Sequence, residues 1–155
     1  MRPAISLLIN FIILSLSTAE ASEINFDYDA FTNQYFEKWN KTQKPGANKQ
    51  DLENYLSLLT EDVAWQHLPY QPNDERKPDG KQNLRQGMTR WLAANTKYKA
   101  ELIDMMFGDN VVIIKFTAKL QFNDNDGNVV NKERHYTDVL ELENGKVCII
   151  RRYGK

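Results

Sequence analysis

The chain has 155 residues, close to the commonest size of a single domain, and a net charge of −1 with its lysines and arginines scattered. That balance argues against the basic stripe of a nucleic-acid binder and the polybasic patch of a membrane-surface protein, so no nucleic acid partner is expected. Cys148 is the single cysteine, which excludes an internal disulfide; in its apolar stretch it reads as a small buried hydrophobe.

In chain order, Met1-Arg2 is a short positive start, Ile5 to Leu16 is an apolar run, and Ala19-Glu20-Ala21 has a small-x-small pattern. The run is shorter than the ~20 residues a spanning helix needs. The expectation is a secretory signal peptide over 1–21, cleaved after Ala21, and a single domain over 22–155 that is periplasmic or secreted and free of the membrane. Phe31, Tyr35 and Trp39 recur every four residues with Phe36 beside them, predicting a helix from about Tyr28 to Lys41 that Lys44-Pro45-Gly46 ends. Leu52, Tyr55, Leu56 and Leu59 predict a second helix, capped by Asn48 or Asp51 and closed by Thr60-Glu61-Asp62. A short strand from Val63 to Leu68 follows, and then an exposed, charged, proline-rich loop over 69–80. Leu84, Met88, Trp91 and Leu92 predict a third helix from Lys81 to Asn95.

The period then changes from 3.6 to 2. Strands are predicted over Tyr98 to Phe107, Val112 to Phe122, Val129 to Leu142 and Val147 to Tyr153, with turns at Asn125 to Asn128 and Glu143 to Lys146. Helices followed by successive strands suit an α+β fold. The expected architecture is three N-terminal helices on the concave face of a curved antiparallel sheet, a cone-shaped roll with a hollow between its layers.

Alternation assigns the candidate residues to faces. Val63, Trp65 and His67 share one face of the first strand, and a histidine at the end of such a strand is either satisfied by a backbone carbonyl or poised at a pocket. On the strand from Val129, Arg134, Tyr136, Asp138, Leu140 and Leu142 share the buried face, whereas His135 points outward. A buried charge costs several kcal/mol unless paired or neutralised, so an Arg134–Asp138 contact, a protonated Asp138 or a wet cavity are the options, or else Arg134 reaches water. Trp39, Trp65, Phe116 and other aromatics either pack the core or line a cavity. Arg151 and Arg152 read as ion pairs at a sheet edge or a partner surface. With the histidines apart and no cysteine cluster, neither a metal nor another cofactor is expected.

The segments LLTEDVAWQHLP, GKQNLRQGMTRW and YTDVLELENGKVCIIRRY, in this order, resemble the nuclear transport factor 2-like superfamily, in particular its SnoaL-like and ketosteroid-isomerase-like branches. In the isomerase branch a tyrosine and a protonated aspartic acid polarise a carbonyl while a carboxylate moves the proton. The resemblance puts Tyr35 at the tyrosine position, Asp138 at the second acid and His67, a departure from the carboxylate, at the base. It implies proton transfer by His67 with Tyr35 and Asp138 as donors, and Trp65, Arg134, Tyr136, Trp39 and Phe116 around a small, largely apolar ligand bearing a polar group. It also implies a homodimer through the outer sheet face. The alternative is a non-catalytic ligand-binding or dimerisation module; a surface-acting inhibitor would rest on the 69–80 loop alone.

Overall fold

The computed structural model describes residues 26–154, so the signal-peptide expectation over 1–21 lies outside the described residues. Helix α1 (Tyr28–Gln43) starts where the Asp27 carboxylate accepts from the Ala30 amide at 2.9 Å, and buries Thr32, Tyr35, Phe36, Trp39 and Thr42 along one face. Gly46, at φ 79°, turns the chain into α2 (Lys49–Leu56), which opens on a reciprocal capping box between Asn48 and Asp51. Asp51 also meets Lys41 at 2.9 Å, tying the hairpin of α1 and α2 together.

The second helix is three residues shorter than its apolar period suggests. Leu59 belongs to β1 (Leu59–Leu68), fully buried and paired with Val147, and Thr60-Glu61-Asp62 are strand instead of a closing turn. Helix α3 (Gly80–Thr89) likewise stops short of Asn95, because Ala93 adopts a left-handed φ of 58° and Trp91 swings out to 72% exposure. Its first residue rests on β1: a Cβ at Gly80 would lie 2.3 Å from the Val63 carbonyl oxygen, so only a glycine lets the two backbones come this close.

Strands β2 (Lys97–Gly108), β3 (Val111–Asn123), β4 (Val129–Glu143) and β5 (Lys146–Tyr153) complete a five-stranded sheet in the order β1-β5-β4-β3-β2. The later strands pair antiparallel as expected, but β1 joins β5 in parallel. This places β5 inside the sheet and corrects the reading of Arg151 and Arg152 as sheet-edge residues. The β4–β5 turn uses Asn144 and Gly145 at φ 51° and 73°, the paired positive angles of a tight hairpin. The fold is α+β, with the core between α1, α2 and the concave sheet face built on Tyr35, Trp39, Leu56, Phe116, Leu140 and Ile150.

The segment 69–79 is exposed as expected, apart from the half-buried Arg76, and it is also anchored to the body. After the cis Leu68–Pro69 bond, Gln71 pairs with His67 as an antiparallel bridge, with backbone hydrogen bonds of 2.9 and 2.7 Å, and the chain runs along the free edge of β1 as a strap. Its even-numbered residues are tied to the body. Gln66 Nε2 donates to the Pro72 carbonyl at 2.6 Å, Arg151 Nη2 donates to Asp74 at 3.0 Å, and Arg76 Nη2 donates to Asp62 at 2.9 Å and Glu143 at 2.6 Å. Among the described residues no helix is long and apolar enough to cross a membrane.

Candidate functional site

The strap, α3 and the end of α1 enclose a cavity of about 630 Å³ above β1 and β5. Trp39, Thr42 and Gln43 come from α1 and Tyr55 from α2. Val63, Trp65, Ile150 and Arg152 make the sheet side. The odd-numbered strap residues Gln71, Asn73, Glu75 and Lys77 form one wall, and Asn83, Leu84 and Met88 of α3, with Trp91 beyond it, form another. The ties to the body run through Pro72, Asp74 and Arg76, while the odd-numbered side chains between them line the hollow. The hollow is therefore aromatic on one side and polar on the other.

Arg152 makes the floor. Its side chain is 12% exposed, and its Nε and Nη2 donate to Asp138 Oδ1 and Oδ2 at 2.8 and 2.7 Å. The guanidinium carbon sits 4.6 Å from the Trp39 ring centroid, 5.0 Å from Tyr136 and 5.3 Å from Phe116. Burial opposes the charge, but the Asp138 carboxylate more than offsets it and holds the guanidinium protonated above its usual range. Asp138 is 1% exposed. The ion pair foreseen for Asp138 exists, with Arg152 in the place of Arg134. Arg134 Nη1 instead donates to the Tyr136 hydroxyl at 2.9 Å.

Tyr35 and Tyr55 join hydroxyls at 3.1 Å beside this pair. Burial lifts Tyr35 well above the usual phenol value and pushes Tyr55 up to about 12, so both remain neutral donors. Tyr55 reaches the cavity; Tyr35, 1% exposed, does not line it.

His67 lies across the sheet from this cluster. The register aligns His67 of β1 with Arg152 of β5 and Asp138 of β4, yet the imidazole is not among the groups lining the cavity. It packs against the rings of Tyr70 at 5.4 Å, Trp65 at 5.6 Å and Tyr136 at 6.2 Å, and its Nε2 is buried without a partner. Burial lowers its pKa first, and the Arg152 charge adds to the effect; the Gly154 backbone and Asp138 oppose it. The unfolded chain therefore takes up the proton before the folded one. Stability should fall as pH drops below the ordinary histidine value of about 6.5, and urea midpoints of a His67→Gln variant should lose the part of that slope between about pH 7 and 5. An unchanged slope in the variant would mean the ring titrates alike in both states.

Of the predicted site residues, Trp39 and Trp65 line the cavity. Phe116, Tyr136, Asp138 and Tyr35 are buried around its floor without lining it, and Arg134 and His67 flank that cluster. Sequence reasoning missed Arg152 and the strap residues as cavity walls. Alternation from Ile150 placed Arg152 on the inward face of β5, and that was the available signal. Among the described residues no group of three His, Cys, Asp or Glu side chains is placed to hold a metal.

The SnoaL-like domain profile matches residues 33–150. The chain belongs to the SnoaL-like domain family. No curated protein matches the sequence. Among solved structures, an NTF2-like protein from Exiguobacterium is 14% identical, with a TM-score of 0.58 over 81% of this chain and 98% of that one. A cystatin-fold protein from Novosphingobium aromaticivorans is 18% identical, with a TM-score of 0.60 over 79% and 94%. An epoxide hydrolase of the LEH type from M. tuberculosis is 12% identical, with a TM-score of 0.59 over 81% and 84%. At such identities the likeness shows the shared fold, and the SnoaL-like scaffold here carries a cavity of small-molecule size.

Proposed function

We propose that this SnoaL-like protein is an exported binder of a small molecule, held in the cavity between the strap, α3 and the sheet. The observation that carries the reading is the cavity itself: about 630 Å³, with Arg152 and Tyr55 presenting donors at its floor and Trp39 and Trp65 at its side. That volume lies within the ~300–1,000 Å³ range of ligand pockets. The proposal includes removal of residues 1–21 and a homodimer. The half-buried Ile113, Val139 and Ile149, with the exposed Met106, put an apolar patch on the outer sheet face to support the pairing.

A second reading is proton transfer at His67, favoured by one observation: its Nε2 has no partner and its lowered pKa leaves a neutral base at pH 7. The donor role assigned to Asp138 does not suit it, because a carboxylate gripped by two guanidinium N–H groups accepts. Native mass spectrometry of protein recovered from the periplasm tests these readings together. The expected spectrum shows a chain starting at residue 22, a dimer, and an added small mass lost on activation. Deuterium entering that molecule in D₂O, and not with a His67→Gln variant, would support proton transfer. A bare protein mass, with no bound component from cell extract, would count against binding.

A further inference from the structure

We propose that the molecule taken by this cavity is a neutral, polyhydroxylated ring compound of the saccharide or glycoside class, stacked on tryptophan and hydrogen-bonded by the strap and α3. The inference rests on the small-molecule reading above and adds the ligand's chemistry.

Three properties of the walls carry it. The first is that both donors and acceptors are left over. Arg152 uses Nε and Nη2 on Asp138, and among the described residues its Nη1 makes no hydrogen bond. The Tyr55 hydroxyl shares the 3.1 Å contact with Tyr35, in which either oxygen can donate, and it is the one of the two that also reaches the cavity. On the other walls the Asn83 amide makes no side-chain hydrogen bond among the described residues, the Asn73 Nδ2 is unused while its Oδ1 accepts from the Glu75 amide, and Glu75 supplies a carboxylate. A carbonyl or carboxylate accepts only and would satisfy the floor while leaving the Asn83 amide oxygen unmatched. Hydroxyl groups donate and accept, and so match every wall at once.

The second property is charge balance. Arg152 is neutralised by Asp138 at 2.7 Å, and Lys77 faces Glu75 at 3.2 Å. An anionic ligand would be the one uncompensated charge at a floor where burying an ion costs several kcal/mol. A neutral ligand meets no such cost.

The third is the position of the aromatic surface. Trp91 lies at the cavity rim with 72% of its surface exposed and is not part of the core. An exposed indole lining a hollow that also carries free amides offers a flat platform for a ring that is apolar on its faces and polar around its edge. The half-buried Trp65 offers a second ring deeper in.

The test is a tryptophan-fluorescence titration of the purified protein with two probe sets. One holds neutral sugars and aryl glycosides: cellobiose, maltose, lactose and phenyl β-glucoside. The other holds 2-acetylnaphthalene and 2-naphthoic acid, apolar bodies bearing a carbonyl or a carboxylate. The expected result is saturable binding of at least one sugar, tighter than either naphthalene, and weakened about five- to tenfold by Trp91→Ala. Trp91 is exposed, so the variant should keep the wild-type melting temperature, and a matching melt confirms that the loss is local. Asn83→Ala should weaken the same sugar without changing naphthalene binding. If the naphthalenes bind and no sugar does, the saccharide inference fails while the pocket reading stands. If neither set binds, both fail. Sugar binding that Trp91→Ala leaves untouched would overturn the proposed platform.

Discussion

Replacing Asp138 with asparagine is expected to destabilise the protein by about 3–5 kcal/mol, because it leaves the Arg152 charge, largely withdrawn from water, without its counter-charge. Arg152 has lost most of its water, and three aromatic rings surround it. Those rings contribute cation–π attraction on the order of 0.5–2 kcal/mol each, too little to replace a carboxylate that accepts two charge-assisted hydrogen bonds. The double variant Asp138→Leu/Arg152→Met should recover most of the loss, since exchanging both members of a buried pair for apolar groups removes the desolvation cost along with the attraction. Urea unfolding followed by circular dichroism reads both results. An asparagine variant within about 1 kcal/mol of the parent would mean that water reaches the pair and that it behaves as a surface bridge.

The second large effect is expected at Trp39. The side chain is 5% exposed, touches Phe116 and Phe36 with ring centroids 4.9 and 5.8 Å away, and covers the Arg152 guanidinium. Truncation to alanine should cost about 3–5 kcal/mol, lowering the urea midpoint with little change in slope. Because the same ring also lines the cavity, ligand affinity should fall with it. Trp39→Phe separates the two roles. It restores much of the packing, so a variant that regains stability but not affinity would show that the indole itself contacts the ligand.

The strands with one buried face were the most legible part of the chain. Val112, Ile114, Phe116 and Ala118 alternate with less buried neighbours in β3, and Tyr136, Asp138, Leu140 and Leu142 do so in β4, because a pleated strand sends successive side chains to opposite faces. Helix ends were less legible. Leu59 continues the period of α2 but is drawn into β1 by pairing with Val147, and Trp91 and Leu92 continue the period of α3 beyond its end at Thr89. At Leu59 a tertiary contact outweighed a local preference of a few tenths of a kcal/mol per residue, whereas after Thr89 the chain tightens into turns in which the Trp91 and Ala94 amides donate to the Met88 and Trp91 carbonyls at 3.0 and 3.1 Å. The candidate site divided in the same way. Asp138 was placed correctly on the buried face by alternation, but its partner was not, since Arg134 and Arg152 are both arginines within reach of a plausible pattern.

By itself the amino-acid sequence determined the layers, the inward faces of β3 and β4, and the need for a buried acid on β4 to be paired, neutralised or wetted. These follow from periods of 2 and 3.6 and from the cost of burying charge, which are local or nearly so. Strand order and register were decided only in the tertiary structure. The parallel joining of β1 to β5 carried Arg152 into the middle of the sheet, between His67 and Asp138, and it left the other edge of β1 for the strap. Anchors on β1, β5 and the end of β4 then hold the strap beside the cavity. Those contacts join residues up to 77 positions apart, as with Arg151 and Asp74. No local period encodes them, because the energy that selects them exists only once both segments are in place.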